Sequence, residues 1–183
     1  MRRRAFLRWA AGGLLASRTA MVAGRDWLPD FSAISLADTG LSAAQWRVVD
    51  AVQQHLFPSE SNAPGAREAS ALPWLQWVLS APDLEPGTRD FHKRNVKALI
   101  TLAEQRGGTP FPALSVERKE NLLREFERQG EGRAWLREVL NYVLEALLTD
   151  PVYGANPDAI GWRWLKHRPG YKRPPADKRY FLL

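Results

Sequence analysis

Apolar residues recur at helical spacing along several segments of this chain, most clearly towards its C-terminal third. From about Arg133 to Leu148, seven apolar side chains follow the period of a buried helix face. They are Trp135, Leu136, Val139, Leu140, Val143, Leu144 and Leu147. Pro151 prevents the helix from continuing, because proline lacks the backbone donor that a helix interior needs. The pattern therefore predicts a core helix over this segment.

Four earlier segments show the same period. Ser42 and Gln45 form a capping box ahead of a stripe that begins at Trp46, and Pro58 ends this first helix. A second helical segment is predicted around 66–80, with Pro73 marking either its start or a kink. The third and fourth helices are predicted from about Thr88 to Arg106 and, after the cap Ser115, from Val116 to Gln129.

No alternating apolar run long enough for a strand occurs, so the sequence predicts an all-α protein. We expect an irregular bundle of about five helices with an ordered C-terminal loop and a basic tail. Composition divides the chain into an N-terminal signal region (1–25), a polar linker (26–40), a helical domain (41–170) and the tail (171–183).

The chain is basic overall, but its charge is unevenly placed. Residues 1–25 hold six of the 26 basic residues and no acid, which leaves 20 bases against 20 acids in the remainder. Since the body is neutral, the sequence gives no support for a nucleic-acid-binding protein. Within that body, residues 162–183 carry a net charge of +6 and residues 26–161 a net charge of −6. The basic segment 162–183 is interpreted as a docking element or as an intramolecular clamp on the acidic body, and a solvated end is the alternative.

The N-terminal arginines precede a Phe-Leu pair. Arg3, Arg4, Phe6 and Leu7, with Arg8 after them, resemble the twin-arginine export signal R-R-x-F-L-K. The segment Trp9–Ser17 is weakly apolar and too short to span a bilayer, which needs ~20 apolar residues. The leader is either cleaved after a small-x-small site or retained. The alternative to an export signal is a basic N-terminal arm that happens to contain Phe-Leu.

Residues that would carry catalysis are sparse. The chain has three histidines without ligand spacing, and it contains no cysteine, no phosphate-binding glycine motif and no nucleophile elbow. The lack of cysteine also excludes a disulfide and covalent haem attachment on this chain. Asp150 and Asp158 are interpreted as turn and capping residues rather than as an acid–base pair. The sequence therefore predicts no catalytic, cofactor-binding or metal-binding residue here.

Six of the eight tryptophans fall into two groups. Trp46, Trp74, Trp77 and Trp135 lie on predicted helix stripes, where core packing is expected. Trp162 and Trp164 lie instead among basic residues near the C-terminus, a composition typical of protein–protein contacts. Packing against the body is the alternative for this second pair.

A punctuated string occupies residues 149–162 and carries a family resemblance. Eight of its positions resemble the string D-P-x-Y-G-G-N-x-D-x-x-G-W of the gluconate 2-dehydrogenase subunit 3 (gamma, small subunit) family. They are Asp150, Pro151, Tyr153, Gly154, Asn156, Asp158, Gly161 and Trp162, with Ala155 in place of the second glycine. The opening segment 41–46 and the loop around 57–69 are also similar to this family.

The resemblance implies a non-catalytic accessory subunit without a cofactor of its own. FAD is then expected in a large partner subunit of the glucose–methanol–choline type, and c-type haem in a multihaem cytochrome c subunit. The twin-arginine translocase would carry the flavin subunit with this chain to the periplasm or to the periplasmic face of the inner membrane. The predicted partner-binding residues are Tyr153, Gly154, Asn156, Asp158, Trp162 and Trp164. The alternative is a free-standing periplasmic helical binding protein.

Overall fold

The computed structural model describes residues 30–168 and Gly170. The described part contains six α-helices and no strand, which confirms the predicted all-α bundle. The helices are α1 (Ala43–Leu56), α2 (Ala71–Ser80), α3 (Thr88–Gln105), α4 (Val116–Glu127), α5 (Gly132–Leu148) and α6 (Ile160–Trp164). The predicted export signal (Arg3, Arg4, Phe6 and Leu7) and the tail 171–183 lie outside the described residues.

Helix α1 begins as its sequence predicts. The Ser42 hydroxyl accepts a hydrogen bond from the Gln45 backbone N–H, and the Gln45 side chain accepts one from the Ser42 N–H. These two bonds satisfy backbone donors that have no partner within the helix. The inner face of α1 buries Trp46, Val49 and Val52. The capping box and the apolar stripe are both confirmed.

Helix α2 is shorter than the predicted segment 66–80. It begins at Ala71, because Ser70 has a left-handed backbone conformation (φ 60°) that a helix cannot include. Pro73 then falls in the first turn, where a backbone N–H would have no helical partner to lose. Pro73 therefore marks the start of the helix without kinking it.

The segment before α1 was predicted as a linker over 26–40, and its described part is folded. Residues 30–40 form two short 3₁₀ helices, Phe31–Ala33 and Leu36–Thr39. Thr39 is buried, and its hydroxyl accepts a hydrogen bond of 3.0 Å from the Trp46 indole N–H. This segment is therefore attached to α1 through a buried polar contact.

Helices α1 to α5 all contribute side chains to the larger core. Trp135 of α5 lies fully buried at its centre, with its ring edge-on to Phe126. The Trp135 indole N–H donates to Nδ1 of the buried His92 at 3.1 Å. Core packing is thus confirmed for Trp135, whereas Trp77 is only partly buried.

A second, smaller core lies between α2 and α5. It consists mainly of small side chains, which let backbones approach closely. Its members are Ala66, Ala69, Ala71, Trp74, Val143, Ala146, Leu147 and Ala155. Ala155 belongs to the C-terminal loop, so this core is where the predicted functional string joins the bundle.

Candidate functional site

The C-terminal loop turns back across the end of α5 through two short 3₁₀ turns, Pro151–Tyr153 and Pro157–Ala159. The Asp150 carboxylate accepts a hydrogen bond of 3.0 Å from the Val152 N–H, so Asp150 caps the first turn. Gly154 closes that turn at φ 86°, a backbone conformation that favours glycine. The turn and capping role predicted for Asp150 is confirmed.

Asn156 fixes the loop from the inside. Its side chain is fully buried: Nδ2 donates to the Thr149 carbonyl at 2.9 Å, and Oδ1 accepts from the Gly161 N–H at 2.8 Å. The Asn156 backbone N–H donates to the Ala69 carbonyl at 3.1 Å. Asn156 also has a left-handed backbone (φ 52°), which asparagine tolerates better than most residues. One residue therefore joins the loop to α5, to α6 and to the segment before α2.

Gly161 allows α6 to pack directly on α5. A Cβ at this position would overlap the Leu147 carbonyl oxygen and lie 2.8 Å from the Leu147 Cγ. Only glycine permits this approach without a shift of backbone. Close packing of α6 on α5 therefore explains why glycine occupies position 161, ahead of Trp162.

Trp162 is anchored to the bundle. Its indole N–H donates to the Leu148 carbonyl at 2.7 Å, which satisfies one of the free carbonyls at the end of α5. Its ring also lies edge-on to His167, with centroids 5.6 Å apart. Trp162 is partly buried, and these contacts give it a role in holding α6 in place.

Trp164 and Tyr153 are instead open to solvent, each 39% exposed. Trp164 has one edge-on ring contact with Phe57, at a centroid distance of 6.3 Å. Asp158 is exposed, and its backbone carbonyl accepts a hydrogen bond from the Arg163 guanidinium. Its carboxylate caps neither short helix here, so the capping role predicted for Asp158 is wrong. The reason is that Asp158 has a left-handed backbone (φ 53°), whereas an N-cap residue normally has an extended one.

The structure therefore divides the six predicted partner-binding residues by position. Asn156 lies inside the fold, and Gly154 and Trp162 shape or anchor the loop. Tyr153, Asp158 and Trp164 lie on the surface. The structure brings these six residues into one loop and one short helix. Only Tyr153, Asp158 and Trp164 expose a substantial part of their side chains to solvent.

Two leucines of α5 are also exposed, although the apolar pattern of the sequence does not mark them as surface residues. Leu144 is 36% exposed and Leu148 is 46% exposed. Leu144 was counted in the core stripe, but Val139, Val143 and Leu147 already fill the inner face of α5. Together with Trp74, the two leucines border a shallow groove of about 600 Å³. The apolar positions of α5 cover more of the helix surface than one buried face needs, and this excess could have indicated that Leu144 and Leu148 are exposed.

Two titratable groups beside the smaller core have shifted pKa values. Burial raises the pKa of Tyr142 to about 12, and the charges of Glu138 and Glu145 act in the same direction. The Tyr142 phenol therefore stays protonated at neutral pH. The Glu68 carboxyl, before α2, has a pKa held below its ordinary value by hydrogen bonds from the Ser59 hydroxyl and the Gly65 N–H.

Neither a cluster of metal ligands nor a membrane-spanning helix occurs among the described residues. Over residues 30–168, no three side chains of the ligating types converge as a metal site. Within the same part of the chain, no helix has both the length and the apolar character to cross a bilayer.

Comparison with protein families identifies the chain. The sequence model of gluconate 2-dehydrogenase subunit 3 matches residues 43–170. The chain belongs to the gluconate 2-dehydrogenase subunit 3 family. The match runs from the first residue of α1 to the end of the described region, so it includes the whole C-terminal loop. The resemblance inferred from the string 149–162 is confirmed.

Comparison with curated proteins gives no significant match, and comparison with solved structures gives none either. For this member of the gluconate 2-dehydrogenase subunit 3 family, assignment to a dehydrogenase complex therefore rests on the family match. The residue roles described above rest on the geometry of the chain itself.

Proposed function

We propose that this chain is a non-catalytic accessory subunit that stabilises a flavin-dependent sugar or sugar-acid dehydrogenase and escorts it through twin-arginine export. The observation that carries the proposal is the family match over residues 43–170, since the family is defined as a subunit of a dehydrogenase. An accessory role is compatible with the large apolar side chains that are exposed on the described surface, such as Trp164 and Leu165.

The N-terminal sequence supports the export step. Arg3, Arg4, Phe6 and Leu7 match the core of a twin-arginine signal. This pathway carries folded proteins, so a flavin subunit could bind FAD in the cytoplasm and then cross the membrane with its escort. The complex would act in the periplasm or at the periplasmic face of the inner membrane.

The proposal places redox chemistry on the partners. FAD belongs to a large subunit of the glucose–methanol–choline type, and c-type haem to a multihaem cytochrome c. The sequence agrees with this division for haem, because covalent attachment through C-x-x-C-H requires cysteines that this chain lacks. The chain itself would contribute binding surface and the export address.

The export step is tested by a charge-conserving change in the signal. Arg3→Lys with Arg4→Lys should leave flavin dehydrogenase activity in the cytoplasm, whereas the wild-type chain delivers it to the periplasm. Arg18→Lys with Arg25→Lys is the matched control, since it makes two identical substitutions outside the motif. Fractionated dehydrogenase activity is the measurement. Periplasmic activity that is unchanged in the Arg3/Arg4 variant would overturn the escort proposal.

A further inference from the structure

A shallow groove of about 600 Å³ lies along α5, where α2 packs beside it. Leu144 and Leu148 are one turn apart on α5, so they lie on the same side of the helix, and they are 36% and 46% exposed. We call this feature the α5 groove. Its lining residues are Trp74, Asn141, Leu144, Glu145, Leu148 and Thr149.

The α5 groove combines apolar surface with one negative charge. Among the described residues that line it, Glu145 is the only charged one. The Glu145 carboxylate is exposed and accepts a hydrogen bond of 3.4 Å from the Trp74 indole N–H. Since the exposed leucines keep apolar surface in water, the groove is complementary to an apolar segment. Since its charge is negative, a segment that also carries a base fits it best.

The described chain ends close to the α5 groove. The Trp162 indole N–H donates to the carbonyl of Leu148 at 2.7 Å. The His167 N–H donates in turn to the Trp162 carbonyl at 2.8 Å, and the two rings lie edge-on with centroids 5.6 Å apart. Gly170 follows three residues later, which is at most ~11 Å of extended chain. Residues 171–183 therefore start within easy reach of Leu148.

The tail, residues 171–183, is long enough to lie along the groove. Fully extended it spans up to ~45 Å, whereas the turn of α5 from Leu144 to Leu148 is only ~6 Å long. A segment joined to its site by a short linker has an effective concentration on the order of 1 mM there. Even weak contacts therefore keep such a segment bound.

The sequence of the tail matches the groove. Residues 178–183 are Lys-Arg-Tyr-Phe-Leu-Leu, so two bases precede four apolar side chains. Four consecutive apolar residues are unusual in contact with water unless they bind something. The two bases are opposite in sign to Glu145 and to residues 26–161, which hold 13 bases and 19 acids. Apolar character and charge both fit the α5 groove.

We propose that residues 178–183 bind the α5 groove of the same chain as an intramolecular clamp. Residues 180–183 cover Leu144 and Leu148, and the two bases before them lie on the side of Glu145. The clamp shields the leucines that the described fold leaves in water. The inference goes beyond the proposed function, because it concerns this chain alone, before any partner binds.

Disulfide trapping in the full chain tests the clamp, since the chain contains no cysteine of its own. Asn141→Cys with Leu183→Cys places one thiol in the groove and one in the tail. Asn121→Cys with Leu183→Cys is the matched control, because Asn121 is also an exposed asparagine on a helix, in this case α4. At low protein concentration the groove pair should form its intrachain disulfide at least ~10-fold faster than the control pair, because the clamp raises the local thiol concentration. Mass spectrometry measures both rates, and the difference should disappear in concentrated urea.

Further substitutions in the groove pair separate charge from apolar contact. Glu145→Gln keeps an acceptor for the Trp74 N–H and removes the negative charge, so trapping should slow and depend less on salt. Glu104→Gln makes the same change at an exposed position of α3 and should leave trapping unchanged. Phe181→Ser with Leu182→Ser should slow trapping to the rate of the α4 control pair, because the apolar contacts are lost.

Two results would overturn the clamp. One is an equal rate for the groove pair and the control pair in folded protein, with the midpoint of thermal unfolding as the check on folding. The other is a disulfide that links two copies at a rate that rises with protein concentration, which would assign the α5 groove to a second copy. Neither result involves the flavin subunit, so the clamp and the proposed function can fail separately.

Discussion

Replacement of Asn156 by alanine should detach the C-terminal loop from the bundle. The change removes the acceptor of the buried Gly161 N–H and the donor to the Thr149 carbonyl. It also places alanine at φ 52°, a left-handed conformation that asparagine tolerates better than alanine does. The substitution therefore affects hydrogen bonding and backbone conformation together, at the point where three parts of the fold meet.

The magnitude follows from these contacts. A buried N–H left without a partner costs about 1–3 kcal/mol, and the partly buried bond to the Thr149 carbonyl adds about 1 kcal/mol. The left-handed backbone adds about 1–2 kcal/mol for a residue other than glycine or asparagine. We expect Asn156→Ala to lower the free energy of unfolding by about 4 kcal/mol in total.

Urea unfolding monitored by circular dichroism measures this change. Asn121→Ala is the control, since Asn121 is exposed on α4 and its replacement should have little effect. Asn156→Asp should lose less than Asn156→Ala at low pH, where a protonated carboxyl can both accept from Gly161 and donate to Thr149. A loss below about 1 kcal/mol for Asn156→Ala would refute the structural role of this residue.

Two further predictions concern the same part of the fold. Gly161→Ala should lower the midpoint of thermal unfolding and reduce the free energy of unfolding by about 1–3 kcal/mol, because the new Cβ overlaps Leu147. Gly170→Ala is the control, since a Cβ there meets no atom within 4 Å and the midpoint should not change. Equal midpoints for the two variants would contradict the packing of α6 on α5. Glu68 has a pKa below 4.5 in the folded chain, so the stability it contributes is complete above about pH 5 and is lost as the pH falls through the folded pKa. Urea unfolding at several pH values should show that the free energy of unfolding falls less on acidification for Glu68→Gln than for the wild type. If it falls equally in both, the hydrogen bonds from Ser59 and Gly65 do not stabilise the fold.

Local sequence predicted much of the fold because the signals were local. The capping box at Ser42 and Gln45 and the apolar stripe of α5 involve residues within a turn or two of each other. Pro73 was recognised as a helix boundary, but the start of α2 depends on the left-handed Ser70, which no local pattern marks. Helix ends set by backbone conformation are harder to predict than helix centres.

The candidate site was predicted in its location and only partly in its roles. The string 149–162 identified the family, yet its residues could not be divided into buried and exposed from the sequence. That division depends on contacts between distant segments, such as the Asn156 N–H on the Ala69 carbonyl and Gly161 against Leu147. The exposure of Leu144 likewise depends on which neighbours cover α5.

Purification of the tagged full-length chain from the periplasmic fraction, under conditions that keep complexes intact, tests the central claim most directly. The account predicts a complex that contains a second, larger subunit and shows the absorbance of bound flavin. A colourless chain that purifies alone would contradict the accessory role and favour a free-standing periplasmic binding protein.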